Sequence, residues 1–287
     1  MNVSVVGAGR VGTAFAVLLS RAGHRIVAVS GGDATHDRVS RFLPDVPFLA
    51  SADAARGGEL VVLGVPDDEI PAMAARIADA GGFRAGCWVV HLSGASGLDV
   101  LASARAAGAR RLALHPLQTF PDVAGALERI PGCAMAVTAD DAEGYALGER
   151  IGADLMARPF RLNDADRPLY HAAAVFASNY LIVTADMAES LFRDVGVPDP
   201  RAAMLPLQRA SLDNVERLGP EAALTGPAVR GDASTIERNL VALRDGAPGA
   251  VAAYVVLCDA ALELGVRGGR LSGERRAAVE DVLRRWR

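Results

Sequence analysis

NVSVVGAGRVGTAFAVLLSRAGHRIVAVS, residues Asn2 to Ser30, opens the chain and decides its fold. A short apolar run, Val3 to Val6, breaks into Gly7-Ala8-Gly9-Arg10-Val11-Gly12. A helical pattern of Phe15, Leu18 and Leu19 follows, then Gly23 and a β-branched run from Ile26 to Val29. This order is strand, tight glycine turn, helix and parallel strand, the context that a dinucleotide fingerprint requires. Gly7 permits the turn, Gly9 lets the backbone approach a pyrophosphate, and Gly12 lets the helix lie close to the strand. The free N–H groups and positive dipole end at the helix start then face the phosphates, with Arg10 and Val11 beside them.

The tip of the second strand bears on which dinucleotide is bound. An acid there would bond the adenosine ribose and repel a 2′-phosphate. Here the strand ends in Val29-Ser30-Gly31-Gly32, with no acid at the tip, and Arg38 and Arg41 follow on a helix that places cations within reach of a phosphate. NADP(H) is therefore expected over NAD, with Ser30 and Arg38 among the cofactor-binding residues. Asp33 is the residue able to reverse that preference.

With 287 residues the chain is long enough for two domains and a sizeable core. Its formal net charge is -4 and its arginines are interleaved with acids, which argues against a nucleic-acid surface. All 30 basic residues are arginine, so no lysine serves as acid, base or Schiff-base amine. Cys87, Cys133 and Cys258 are widely spaced in apolar runs, with neither metal spacing nor a disulfide framework, as in a reducing cytoplasm. The first residues enter a strand directly, leaving no room for a signal peptide. Ala172 to Ala185 reads as the most apolar window, too short to span a bilayer, so a soluble protein away from membranes is expected.

Further strands are expected at Leu60 to Val65, Trp88 to His91, Leu112 to Leu114, Cys133 to Val137 and Arg158 to Arg161. They alternate with helices, and Asp67 or Asp68 would cap the helix that continues to Ala80. Such alternation implies a parallel, doubly wound α/β sheet with its ligand at the carboxyl ends of the strands. Val65-Pro66, Ser93-Gly94 and His115-Pro116 all fall at such ends. They should share one cleft with the glycine turn, giving Val65, Pro66 and Ser93 cofactor contacts. The alternation stops near Asn163. Residues 1–163 are expected to form the dinucleotide-binding domain. Residues 164–287 form an all-helical substrate and dimerisation domain, with helices from Arg167 to about Val195, Ala202 to Leu218, Ser234 to Leu243, Ala250 to Leu264 and Gly273 to Trp286.

Three constellations carry candidate chemistry. In the long helix, His171 and Ser178 are seven apart and nearly on one face, with Asn179 beside Ser178. Buried polar groups in so apolar a helix need partners, which makes them candidates to hold a reacting oxygen. His115, fixed by Pro116 at a strand end, is the second candidate acid, and its ordinary pKa near 6.5 suits proton transfer. Third, Thr225-Gly226-Pro227 leads through Arg230 to a helix start at Asp232. Arg230 beside such a start is a carboxylate site, although a plain helix cap with a surface arginine fits equally. Gln118 would also contact substrate, His91 reads as structural, and His24 and His36 as surface residues.

HPLQTF at His115 to Phe120, HAAAVFASNY at His171 to Tyr180 and LTGPAVRGD at Leu224 to Asp232 lie behind the N-terminal GAGRVG. Together they resemble the Rossmann-like proteins that carry the domain of unknown function 2520. The resemblance covers nearly the whole chain. That family is similar in build to dehydrogenases with a 6-phosphogluconate-dehydrogenase-like helical domain: ketopantoate reductase, pyrroline-5-carboxylate reductase, prephenate dehydrogenase and deazaflavin-dependent NADP reductases. It implies an NADPH-dependent reductase of a small keto acid, with ketopantoate the leading substrate and pantothenate synthesis the setting. It also implies a homodimer through the helical domain. Ketopantoate reductase has a lysine and two asparagines spaced by four, and those slots are His171, Val175 and Asn179 here. Histidine for lysine implies activity that falls above neutral pH. Ser93 and His115 occupy places where prephenate dehydrogenases contact substrate, so which histidine donates the proton stays open. The Thr225 to Asp232 turn resembles one that helps bind a substrate carboxylate. Imine reduction, a prephenate-type oxidation and a non-catalytic NADP sensor are the alternatives.

Overall fold

The computed structural model describes residues 1–287, except for the side chains of Asp33 and Ala34. Asp33, the residue able to reverse the NADP preference, therefore lies outside the described side chains. The chain divides into two compact units, Met1–Asn179 and Tyr180–Arg287.

The first unit is built on seven strands: β1 (Asn2–Val6), β2 (Arg25–Ser30), β3 (Leu60–Leu63), β4 (Trp88–His91), β5 (Arg110–Pro116), β6 (Ala134–Ala139) and β7 (Arg158–Arg161). Between them run α1 (Arg10–Arg21), α2 (Asp33–Phe42), α3 (Ser51–Arg56), α4 (Ile70–Asp79), α5 (Ala102–Ala106), α6 (Val123–Arg129) and α7 (Ala142–Asp154). The spatial order is β2-β1-β3-β4-β5-β6-β7, so the winding reverses between β1 and β3. In open α/β sheets that crevice is where ligands bind. Apolar side chains pack on both faces: Phe15, Leu19, Leu112 and Met135 on one, Ile70, Ile77 and Leu101 on the other. Burial on both sides is why β3 reads as an unbroken LVVL.

Two expectations about this unit are corrected. The sheet is not wholly parallel, because β6 runs antiparallel to β5 while every other pair is parallel. β5 has seven residues, about 23 Å, whereas the seven residues of α6 span about 10 Å. That helix cannot carry the chain back along the sheet, so the chain returns from the end it left. Second, Asp67 and Asp68 do not cap α4. They lie in a 3-10 turn, Asp67–Glu69, and the helix behind it has no side-chain cap.

Arg167 begins α8 (Arg167–Ala177), which belongs to the first unit. The boundary between the compact units thus falls after α8, beyond the composition change near Asn163. The physical reason is Arg167, which is 0% exposed. Its guanidinium donates to the carbonyls of Ser93 and Ser96 and to Thr138 Oγ1, and this ties the helix to the sheet. The expected long helix is also broken. Ser178, at φ -127° and ψ -64°, ends α8, and α9 (Asn179–Asp194) begins beside it. No proline or glycine in the sequence announces that break.

The second unit contains α10 (Pro200–Leu218), α11 (Pro220–Ala223), α12 (Pro227–Arg230), α13 (Ala233–Gly246), α14 (Val251–Arg267) and α15 (Gly273–Trp286). Its core joins Ile236 and Leu240 of α13, Val255 and Leu262 of α14, and Val279 and Leu283 of α15. One stretch among the described residues, Pro248–Arg267 with mean hydropathy 1.7, is long and apolar enough to cross a membrane. It replaces Ala172 to Ala185 as the apolar window to consider. The same helix supplies Val255, Cys258 and Leu262 to this unit's core.

Candidate functional site

Backbone crowding at the β1–β3 crevice makes the glycines necessary. Gly7 sits at φ +85°, and a Cβ there would lie 2.6 Å from the Val65 amide nitrogen. A Cβ on Gly12 would lie 2.5 Å from the Gly7 carbonyl oxygen. A side chain at Gly9 would meet no protein atom closer than 3.8 Å, so the space before it is open. No side chain caps α1, and its first-turn N–H groups remain available to an anion. The Ser30 carbonyl accepts from the Gly7 and Ala8 amides at 2.9 Å each, pinning the glycine turn to the tip of β2.

Three cavities surround this turn. The first, of about 610 Å³, is lined by Gly7, Gly9, Ser30, Thr35, Val65 and Pro66 among others. A second, of about 620 Å³, has Arg10, Arg38, Arg41, Pro121 and Asp122 in its wall. Arg38 therefore lies in a different cavity from Ser30, although its Nη1 donates to the Ala8 carbonyl at 3.5 Å. The third, of about 250 Å³, is lined by Val11, Asp67, Ser93, Gly94, His115 and His171, with Gln118 and Phe120 at its edge. Gly64 and Val65 border both the first and the third cavities. The space before the glycine turn and the one at the two histidines are thus neighbours that meet at Gly64 and Val65.

Gly94 is what lets those histidines meet. A Cβ on Gly94 would lie 2.8 Å from His115 Nε2 and 2.9 Å from His171 Nδ1. The other nitrogen of His115, Nδ1, is paired with the Tyr170 hydroxyl at 2.7 Å. Buried His171 Nδ1 has no hydrogen-bond partner among the described residues. Burial, then the positive charge of Arg167, then His171 push the His115 pKa down to about 4. Burial raises the Tyr170 phenol to about 12. Both groups are neutral at physiological pH. The floor of the cavity is a polar turn: Ser93 Oγ donates to Asp67 Oδ2 at 2.5 Å and accepts from the amides of Ala95 and Ser96.

The predicted site residues fall into two groups. Ser93, His115, Gln118 and His171 come together around Gly94, in the cavity that shares Val65 with the glycine turn. Ser178 and exposed Asn179 line none of these cavities, and the break after Ala177 interrupts the face that Ser178 was expected to share with His171. In the second unit Asp232 is the N-cap of α13, accepting from the Thr235 amide and both neighbouring hydroxyls. Thr225 and Arg230 are exposed, and no hydrogen bond or ion pair among the described residues engages Arg230. His91 is structural, as expected: it is fully buried, with Nε2 on the Gly97 carbonyl. His24 is not a surface residue, since its ring packs with 9% side-chain exposure against Asp154.

Three residues at or beside this cavity have roles the sequence analysis did not foresee: Asp67, which lines it, and Arg167 and Tyr170, which hold Ser93 and His115 of its wall. A signal for two of them was present. Arg167, Tyr170 and His171 stand at i, i+3 and i+4, one face of a helix start.

Residues 1–116 match the Rossmann-like domain model. Residues 133–261 match the domain of unknown function 2520. Among solved structures it is similar to a Bacteroides fragilis protein provisionally assigned as an NADP oxidoreductase. That likeness has a TM-score of 0.75 and 24% identity, and covers 91% of this chain and 98% of that one. A Thermotoga maritima protein is similar with a TM-score of 0.73 at 20% identity, over 94% of this chain and 100% of that one. A reductive aminase of Aspergillus terreus, solved with NADPH and ethyl levulinate, gives a TM-score of 0.64 at 20% identity, over 98% of each chain. A curated relative, glycerol-3-phosphate dehydrogenase [NAD(P)+] of Serratia marcescens, is 45% identical over 65 residues. That match spans 19% of the relative's length and 19% of this chain. Over nearly its whole length the chain thus shares the fold of these solved structures, an α/β unit followed by helices.

Proposed function

We propose that the protein is an NADP(H)-dependent reductase of a small polarised C=O or C=N compound. One observation carries this reading: the cavity before the glycine turn borders, at Gly64 and Val65, the cavity that holds His115 and His171. The uncapped start of α1 fits the pyrophosphate. Ser30 and Arg38, one on each side of the glycine turn, are the residues for the 2′-phosphate. When bound, the nicotinamide supplies a hydride. The chain's role is to orient the substrate, hold its heteroatom with hydrogen-bond donors and provide the proton.

A 2-oxo acid, ketopantoate first, is the substrate class we assign. The family resemblance supports it, as does Arg230, an exposed guanidinium with no partner in the second unit. A second reading, imine reduction, is favoured by a specific feature. The histidine cavity contains the carboxylate of Asp67, and the one arginine beside it, Arg167, commits its donors to Ser93, Ser96 and Thr138. NADPH oxidation followed at 340 nm with ketopantoate, other 2-oxo acids and cyclic imines, then repeated with NADH, tests both. Turnover of imines alone removes the keto-acid assignment. Preference for NADH removes the role given to Ser30 and Arg38.

We also propose a homodimer formed by the helical unit. α9 has no buried residue and α10 buries only Met204, while Leu207, Leu212, Val256 and Leu257 are exposed. Three buried, unpaired cysteines suit a cytoplasmic protein.

A further inference from the structure

The first turn of α8 presents Arg167, Tyr170 and His171 on one face, and together they meet the turn after β4 and the end of β5. Arg167 holds the turn after β4 through two carbonyls. Tyr170 meets His115 at the end of β5, with the rings edge to face at 5.5 Å. His171 meets Gly94. We propose that this turn makes His115 a neutral donor: Tyr170 occupies Nδ1, so the Nε2 of His115 carries its hydrogen toward Gly94 and the substrate heteroatom. The proposal rests on the reductase reading for its kinetic consequence and on geometry alone for the state of the ring.

The direction of the Tyr170–His115 bond follows from chemistry. A phenol is a strong donor and a weak acceptor, whereas an imidazole nitrogen lone pair is a strong acceptor. Tyr170 keeps its proton, because burial raises its pKa. The ring stays uncharged because it is buried beside the Arg167 guanidinium and a second histidine, with one carboxylate in the same cavity. The groups around it are Arg167, Tyr170 and His171 of α8, His91 of β4 and Asp67 of the turn after β3. Of these only Asp67 is anionic, and its Oδ2 is engaged by Ser93. Arg167 is buried, and no carboxylate among the described residues bonds it, so its charge acts on the histidines directly. Arg167 and Tyr170 are positioning residues, and His115 is the group that touches substrate.

The step balances without an imidazolium. With a nicotinamide bound to supply hydride to the substrate carbon, the substrate oxygen or nitrogen would take the Nε2 proton of His115 and Nδ1 would take the phenolic proton of Tyr170, so that the C=O or C=N bond is reduced and the cofactor oxidised. Solvent would then protonate Nε2, and Nδ1 would return its proton to the Tyr170 oxygen, which restores both groups. This replaces the sequence-based expectation that activity falls above neutral pH.

The test begins with ligand-free full-length protein. Long-range ¹H–¹⁵N imidazole spectra, with His115 assigned by His115→Gln, should show the neutral Nε2–H form throughout pH 5.5 to 8.5. Tyr170→Phe should leave a mixture of tautomers. An Nδ1–H ring, or titration near 6.5, overturns the proposal whether or not the protein proves to be a reductase. With an active substrate in hand, kcat should stay flat from pH 6 to 8.5. Tyr170→Phe should lower kcat at least tenfold with the NADPH Kd within twofold of the parent. A tenfold loss of kcat per pH unit above 6.5 also overturns it, because that is the signature of an imidazolium acid. If the tautomer is as expected and no carbonyl or imine is turned over, the reductase reading fails and the ring assignment stands.

Discussion

The two units of the chain solve the burial problem differently. In Met1–Asn179 the strands β3 and β4 are buried at every position, and helices cover both faces of the sheet. In Tyr180–Arg287 the core is a single cluster from the later helices, and the long helices α9 and α10 bury one residue between them. The first unit completes its own interior and then uses leftover polar groups, Ser93, His115, Arg167 and Tyr170, to shape a cavity. The second keeps apolar side chains in water, an arrangement that a partner surface would relieve. The candidate site thus lies where packing is finished, and the proposed dimer contact where it is not.

The largest break in this comparison should come from Gly12→Ala. The added methyl meets the Gly7 carbonyl at 2.5 Å, so NADPH affinity measured by fluorescence titration should fall at least about 100-fold, roughly 2.7 kcal/mol. Unchanged affinity would move the nucleotide away from this turn. Next is Arg167→Met, which leaves the Ser93 and Ser96 carbonyls and the Thr138 hydroxyl without their donor. We expect unfolding in urea to be easier by about 3 kcal/mol. A loss under about 1 kcal/mol would show that water replaces the guanidinium.

A third prediction concerns acid. His91 and His115 have folded pKa values pushed down to about 3 and about 4, from an ordinary 6.5. Below pH 6.5 the unfolded chain binds protons that the folded one refuses, so stability falls as pH drops, by about 1.4 kcal/mol per unit for each histidine until its folded pKa is reached. Above pH 7 these groups add no slope. Melting temperatures from pH 4.5 to 8 check the sign, and His91→Asn should remove some of the slope. The smallest effect on folding sharpens the contrast. Leu257→Asp, at a side chain 53% exposed, should change protomer stability by less than about 0.5 kcal/mol yet shift a sedimentation profile toward monomer. An unaltered profile would leave α14 outside any interface.

Much of the first unit was legible because its signals are local. GAGRVG, the apolar strand runs and the proline after His115 each act within a few residues, and the seven expected strands all formed. What stayed hidden depends on residues far apart. Arg167 is 74 residues from Ser93, and an arginine opening a helix reads as a surface charge until its partners are seen. Asp67 resembled a helix cap because local rules favour that use, but Ser93 engaged its carboxylate first. The break at Ser178 divided a face that ideal helical periodicity had kept whole. In the second unit helix positions were readable from apolar spacing, and Asp232 took the plain capping role that its sequence also allowed.

The reversed direction of β6 has one more consequence. The segment from Leu117 to Cys133 departs from and returns to the same edge of the sheet, where the Leu117 amide bonds the Ala134 carbonyl at 2.8 Å. It contributes Gln118 and Phe120 to the histidine cavity and Pro121 and Asp122 to the arginine-lined one. Both ends are anchored within one ladder, and Val123, Ala126 and Ile130 tie its helix to the core, which leaves Gln118 to Asp122, none of them buried, as the part able to vary without disturbing strand register. A change there would reshape both cavities while the scaffold is left alone.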